Sequence, residues 1–455
     1  MTRRGFVSSA AAIAAGAVRR SKAVESPDGM QAVLARIRPP TFPDRAFDIA
    51  KYGAVAGAQE DSSGAIGKAL DACAKAGGGR VLVPRGEFLT GPIHLKSNTN
   101  LHLEEGAVLK FSTDPKQYLP VVLTRFEGTE CMNYSPFLYA FEQNNIAVTG
   151  TGVLDGQADS EHWWPMRAKA KADADALVAM ADKDVPVSQR IFGEGHYLRP
   201  NFFQPYRCNN VLIEGIGIRS SPMWELNPVL CRNVTVRNVK IASFGPNNDG
   251  CDPESSTGVL VEGCVFETGD DCIAIKSGRN RDGRRVGVAC ENIVIRDCTM
   301  KDGHGGVSLG SEGSGGIHNV FVDNCRMNSP NLQRALRLKT NSFRGGSYEN
   351  VYFTNVTVGQ VAEAVIEVDF FYPEYANREG RGGPFQPLVK NVVVEHVTSQ
   401  KSKRAVYLRG YPDAPVSGVR IAHCSFDNVA ENDVIENVKD LQLVDVKRNG
   451  KEMTR

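Results

Sequence analysis

The sequence predicts an all-β protein, a right-handed parallel β-helix with an N-terminal helical cap and loop insertions, and three observations carry that prediction. Short blocks recur along most of the chain: "NNVLIEGIGI" (209–218), "RNVTVRNVKI" (232–241), "TGVLVEGCVF" (257–266), "ENIVIRDCTM" (291–300) and "HNVFVDNCRM" (318–327), with further copies beginning at Glu349, Lys390 and Ser417. Within each block apolar residues recur at every second position, which is the period of a strand. The anchors Val211, Val234, Val259, Ile293, Val320, Val351, Val392 and Val419 stand 23 to 41 residues apart, as one coil plus variable insertions would place them. A propeller blade would need about 40 residues for four strands, and no leucine-repeat consensus is present. In a β-helix each strand pairs with its counterpart one coil on, about 4.8 Å away. Inward side chains then stack into columns.

The elements follow in order. "MTRRGFVSSAAAIAAGA" carries tandem Arg3 and Arg4 before a short apolar run and resembles a twin-arginine signal, with cleavage after Ala17 or Ala23. Residues 1–23 are read as that signal and 24–44 as a linker. Residues 45–445 form a single β-helix domain, and 446–455 a tail. An open solenoid end exposes core and needs a cap. A helix over 60–79 supplies one, started by Asp61, Ser62 or Ser63, burying Ile66, Leu70 and Cys73 and stopped by Gly77 to Gly79. The stretch 159–200 breaks the repeat as an Ala-rich, helical insertion.

Composition narrows function. The 53 Lys and Arg against 52 Asp and Glu argue against a general nucleic-acid or membrane binder, and no second apolar stretch could span a bilayer. The expected protein is a periplasmic or secreted monomer. Most of the 11 cysteines keep column positions: Cys264, Cys298, Cys325 and Cys424 lie five residues after their anchors, and Cys208, Cys231 and Cys290 three before. Stacked, buried thiols are expected, with one or two disulfides open.

"TGDDCIAIKSG" (268–278) sets two aspartates side by side after a glycine. Aligning it with "KDGHGGVSLGS" puts Asp270 and His304 eleven residues past their anchors, facing outward one rung apart. Asp271 would face inward unless the chain bends at Gly269, and a bend aims both carboxylates at one external groove. The preceding coil brings Asp249 and Asp252, and the coil after His304 brings outward Arg337 and Lys339. Acidic, acidic, His, then Arg and Lys on successive coils suit an anionic polymer: carboxylates cut it and cations hold its acid groups. One Asp among crowded carboxylates stays protonated to serve the leaving oxygen, while the others activate water.

At this point the chain resembles the polygalacturonases of glycoside hydrolase family 28, over about residues 45 to 440. The motifs are Asn247-Asn248-Asp249, Gly269-Asp270-Asp271, Gly303-His304-Gly305 and Arg337-Leu338-Lys339, where the family has Asn-Thr-Asp, Gly/Gln-Asp-Asp, Gly-His-Gly and Arg-Ile-Lys. The resemblance implies hydrolysis of α-1,4-galacturonosidic bonds in polygalacturonate or pectin oligomers with inversion. Asp270 would be the general acid, and Asp249 and Asp271 would hold the water. His304 would tune the acid or help place substrate, and Arg337 and Lys339 would bind a galacturonate carboxylate. It implies no cofactor and no metal. Exo action is favoured, because insertions at 159–200 and 374–385 can block the groove. A rhamnogalacturonan-type hydrolase, a pectate lyase and an inactive sugar-binding β-helix are the alternatives.

Other residues carry two readings. Lys276 can reach substrate or be an ordinary surface lysine. Trp224 can stack on a sugar or pack. Asp252 supports the cluster or is satisfied by turn amides. His162, Trp163 and Trp164 can form a sugar platform, and His196 and Arg199 can touch substrate or hold a loop.

Overall fold

The computed structural model describes residues 26–374 and 379–454. The leader-like stretch 1–23 and residues 375–378 of the second insertion lie outside them. Among the described residues, 25 strands join in one sheet, six in a second and three in each of two more. The pairing is parallel throughout apart from the hairpin of Val122–Phe126 with Thr129–Asn133 and a terminal pair at Gln442–Arg448 with Lys451–Glu452. The anchors stack in register. Val211 pairs with Val234, Val234 with Val259, and Val259 with Ile293, and the column runs on through Val320, Val351 and Val392 to Val419. Each is buried because alternation turns it into the coil.

The residue next to each anchor turns the corner. Asn145, Asn210, Asn233, Asn292, Asn319, Asn350 and Asn391 all have φ between 55° and 61°, a left-handed conformation that asparagine tolerates. Their amides form a ladder, Asn210 Nδ2 donating to Asn145 Oδ1 at 2.8 Å and Asn350 Nδ2 to Asn319 Oδ1 at 3.0 Å. The ladder breaks at Gly258, which keeps the left-handed turn with φ 69° but has no amide. The N-terminal arm fills the gap: Arg38 N–H donates to Asn233 Oδ1 at 2.9 Å, and Asn233 Nδ2 donates to the Arg38 carbonyl at 2.6 Å.

Within the stretch expected as a linker, the described residues 26–44 therefore do more than connect. Their helix α1 (Ser26–Leu34) brings Met30, Val33 and Leu34, with Ile37 after it, onto an outer stripe of Leu260, Val294, Phe321, Tyr352 and Val393. The expected tail likewise holds the terminal strand pair. Helix α2 (Ser63–Lys75) caps the solenoid as expected, with Ile66, Leu70 and Cys73 buried against the first coil. Asp61 Oδ1 accepts the Ser63 N–H at 2.9 Å at its start. All 11 cysteines are free and buried, so neighbours in the columns are not bridged. Cys264 Sγ donates to the Glu262 carbonyl at 3.4 Å and Cys298 Sγ to the Arg296 carbonyl at 3.2 Å. Among the described residues no helix is long and apolar enough to cross a membrane.

Candidate active site

The six-stranded sheet floors the site. Ile273 pairs with Val307, Val307 with Leu336 and Leu336 with Ile366, all facing in. The alternate positions form an outward column, Ala274, Ser308, Arg337, Glu367 and Tyr407, with Lys339 beside Asp369 and Arg409 two residues on. Arg337 and Lys339 thus share a face because they lie two apart on one strand.

The carboxylates enter from the turns before these strands. At Gly269 the chain runs so close to the previous coil that a Cβ would lie 2.3 Å from the Gly245 carbonyl oxygen. That approach lets the next residues turn toward the groove. Asp270 lies at its rim, while Asp271 is fully buried yet meets outward residues: Oδ1 accepts from Ser308 Oγ at 2.8 Å and Oδ2 from Lys339 Nζ at 2.6 Å. Asp270 Oδ1 lies 2.8 Å from His304 Nδ1 and accepts the Asp271 N–H at 3.0 Å. Asp249, Asp270 and Asp271 each present an oxygen within 4.8 Å of the others'. They are the residues a cation would meet, but three side-chain cations already face them.

The surroundings divide the acids. Burial opposes charge on Asp271, yet Lys339, Arg337 and Lys276 outweigh it and hold its carboxyl well below the usual range. Burial pushes Asp249 well up, reinforced by Asp252 and Asp270, with only Lys276 opposing among its main influences. Asp252 is likewise raised by burial. The surroundings thus favour charge on Asp271, while burial first and crowding second disfavour it on Asp249.

Asp249, Asp270 and His304 line one cavity of about 660 Å³, together with Trp224, Lys276, Arg337 and Lys339, while Asp252 and Asp271 are buried behind it. Asn248, the position where the resemblance expects Thr, is fully used: its Oδ1 accepts from Ser243 Oγ and the Gly245 N–H at 2.8 Å, and its Nδ2 donates to the Ser221 and Met223 carbonyls at 3.1 Å. It shapes the turn that carries Asp249.

The structure bears on several residues that carried two readings. Lys276 is no surface lysine: its side chain is 3% exposed, and its ammonium lies 3.2 Å from Glu312, 3.6 Å from Asp252 and 3.8 Å from Asp249. Trp224 is buried, with Lys276 Nζ 4.5 Å from its ring centre. Trp163 packs edge-on against Tyr118 and Phe137 in the core and forms no platform, while Trp164 is half-buried and donates to the Ser221 carbonyl. His162 is tied to Asp159 and His196 to Asp173. Arg199 is buried and holds the loop, donating to the Pro222 and Pro246 carbonyls and to Asn247 Oδ1.

Sequence reasoning missed one wall of the cavity. Arg279 pairs with Glu127 at 3.1 Å and with Glu374 at 2.6 Å; Arg344 also pairs with Glu374 and lies 3.6 Å from Glu312. Glu127 sits in the turn of the hairpin at 122–133, and Arg167 comes from α3 (Met166–Asp182) of the first insertion. The second insertion leans back along this wall: Phe385 N–H donates to the Ser342 carbonyl at 2.9 Å, and Arg284 lies 3.5 Å from the Phe385 ring centre.

Comparison with known proteins agrees with this fold. The profile of Glycosyl hydrolases family 28 matches residues 192–447. A crystal structure of a hyperthermoactive exopolygalacturonase from Thermotoga maritima is 44% identical, covering 93% of this chain and 96% of that one with a TM-score of 0.90. An exo-poly-alpha-D-galacturonosidase of Dickeya chrysanthemi is 26% identical over 80% of this chain and 64% of its own length. A probable polygalacturonase of Vitis vinifera is 27% identical over 78% of this chain and 68% of its own.

Proposed function

This chain belongs to the glycosyl hydrolases of family 28, and we propose that it hydrolyses the α-1,4-galacturonosidic bonds of polygalacturonate and pectin oligomers from a chain end. The observation that carries the reading is the meeting of Asp249 and Asp270 with Arg337 and Lys339 around one cavity bounded by inserted segments, with Asp271 buried within reach of both aspartates.

Asp270 is the general acid. With His304 Nδ1 and the Asp271 N–H both on its Oδ1, Oδ2 is left to carry the proton to the glycosidic oxygen. Asp249 and Asp271 hold a water that attacks the anomeric carbon as the leaving sugar takes the proton from Asp270. The water's own proton passes to Asp249, the less solidly ionised of the two. Arg337 and Lys339 receive a galacturonate carboxylate. Inversion rests on the family resemblance, since the closest carboxylate oxygens lie nearer together than the about 6.5–9.5 Å usual between carboxyl groups of inverting pairs.

Exo action is supported by the unequal ends of the cavity. Toward the N-terminal coils stand Trp224, Glu127 and Arg167, from three separate segments. Toward the C-terminal coils Arg334, Glu367 and Asp369 are shared with a smaller cavity of about 140 Å³ that reaches Arg404 and Tyr407. The polymer would leave by that side. The leader-like stretch supports twin-arginine export to the periplasm or beyond.

The test is one time course on long polygalacturonate, followed by reducing ends, viscosity, ultraviolet absorbance and product identity. Monogalacturonate as first product, with viscosity nearly unchanged and no new absorbance, is expected. A rapid fall in viscosity at low cleavage would sink exo action. An absorbing, unsaturated product would mean elimination and overturn hydrolysis.

A further inference from the structure

Lys276 stands at a junction that binding a substrate carboxylate does not explain. Its ammonium has little exposed face to offer: the side chain is 3% exposed, Glu312 Oε2 lies 3.2 Å away, and the Trp224 ring centre is at 4.5 Å. Glu312 is itself fixed, taking Ser311 Oγ on its other oxygen at 2.9 Å with Arg344 3.6 Å away. The same ammonium lies 3.8 Å from Asp249 Oδ2 and 3.6 Å from Asp252 Oδ2. Asp249 Oδ1 and both oxygens of Asp252 are buried with no hydrogen-bond partner among the described residues.

The other groups around Asp249 offer it no positive charge. Asp252 shares its segment, Asp270 and Asp271 come from the next coil, and all three disfavour a negative Asp249. Glu225, from the coil before, is fully buried, and that burial disfavours its charge. Lys339 is hydrogen-bonded to Asp271, with Arg337 3.7 Å from the same carboxylate. Lys276 is the cation that reaches Asp249, and Glu254, Glu312, Asp252 and Asp271 share its field.

We propose that Lys276 is a positioning residue for the hydrolytic step: held by Glu312, its ammonium is the counter-charge that lets Asp249 carry the negative charge needed to take a proton from the attacking water. The proposal rests on the reading of Asp249 as a base acting on that water. Glu312 competes with Asp249 for one ammonium, so the two neighbours of Lys276 have opposite effects. Removing the lysine makes Asp249 harder to ionise. Removing the charge of Glu312 leaves more of the ammonium's field to Asp249.

The experiment measures kcat and KM against pH on a galacturonate oligomer for the wild type, Lys276→Gln, Lys276→Arg and Glu312→Gln. A base must be ionised to act, so a raised Asp249 loses activity at a higher pH as the solution is acidified. In Lys276→Gln the acid limb of the kcat profile should move up by about 1–3 pH units, the usual effect of one close opposite charge. The loss should shrink on the alkaline side, and KM should change less than kcat. Lys276→Arg should restore most of the limb, and Glu312→Gln should move it the other way. A loss equal at every pH, or a raised KM with the limb unmoved, would overturn the proposal, the second result meaning that Lys276 binds substrate. Glu312→Gln moving the limb upward would also overturn it. A wild type that cleaves no galacturonate oligomer would overturn the functional reading, and the proposal with it.

Discussion

Gly305 offers a direct test of how Asp271 is held. Its φ lies outside the left-handed region, so alanine costs little in the backbone. The added Cβ, however, would stand 2.2 Å from Ser308 Oγ and 2.8 Å from Asp271 Oδ1. Ordinary contact begins near 3.4 Å, so the hydroxyl must retreat by about 1.2 Å. Turning Ser308 about its Cα–Cβ bond is the cheap escape, and it breaks the 2.8 Å hydrogen bond to Asp271. A hydrogen bond to a charged group contributes about 1.5–3 kcal/mol, so Gly305→Ala should lower kcat by about 10- to 100-fold with KM little changed. The thermal midpoint should fall by less than the about 2–4 °C per kcal/mol seen in domains of 150–250 residues. The decisive measurement is a double-mutant cycle. Ser308→Ala already lacks the hydroxyl, and the nearest remaining Ser308 atom to the new methyl is Cβ at 3.6 Å. Gly305→Ala should therefore cost less in that background than in the wild type, the 2.8 Å approach to Asp271 Oδ1 being what remains. Kinetic penalties that simply add, or a Gly305→Ala enzyme with wild-type kcat, would refute the reasoning.

Two further outcomes follow from the same geometry. Asp270→Asn should lower kcat by about 10²–10⁴-fold while leaving the thermal midpoint close to wild type, because proton donation is lost and little else; a variant keeping more than about a tenth of wild-type kcat would show that another group is the acid. A thiol reagent should find none of the 11 buried, unbridged cysteines in the native protein and all of them in denaturant, as the absorbance of the released chromophore will report; rapid labelling of several in native buffer would contradict the stacked columns.

The coils were legible because their physics is local. Alternation at every second residue placed Val211 to Val419 in one column, and the same parity put Ser308 and Arg337 together on the groove face. The ion-paired wall was not legible. Arg279 meets Glu127 152 residues away and Glu374 95 residues away, from turns that keep no period. Lys276 was half legible: its parity pointed it outward, but burial under Glu312 and Trp224 depends on three separate turns. The arm at 26–38 had left a signal that went unread. Val259-Leu260-Val261, Ile293-Val294-Ile295 and Val320-Phe321-Val322 are apolar without interruption, the mark of strands covered on both faces. Where such triplets stack on successive coils, something must lie across them, and α1 does.

The break in the asparagine ladder at Gly258 also has a consequence in time. Arg38 closes on Asn233, and the side chains beside it rest on Leu260, Val294, Phe321 and Tyr352. Synthesis delivers those partners roughly two to three hundred residues after the arm itself. Contacts of such high sequence separation form late, because the intervening chain must be ordered first. The arm is thus bound to wait for coils not yet made, and its docking marks the moment at which the middle of the solenoid is complete.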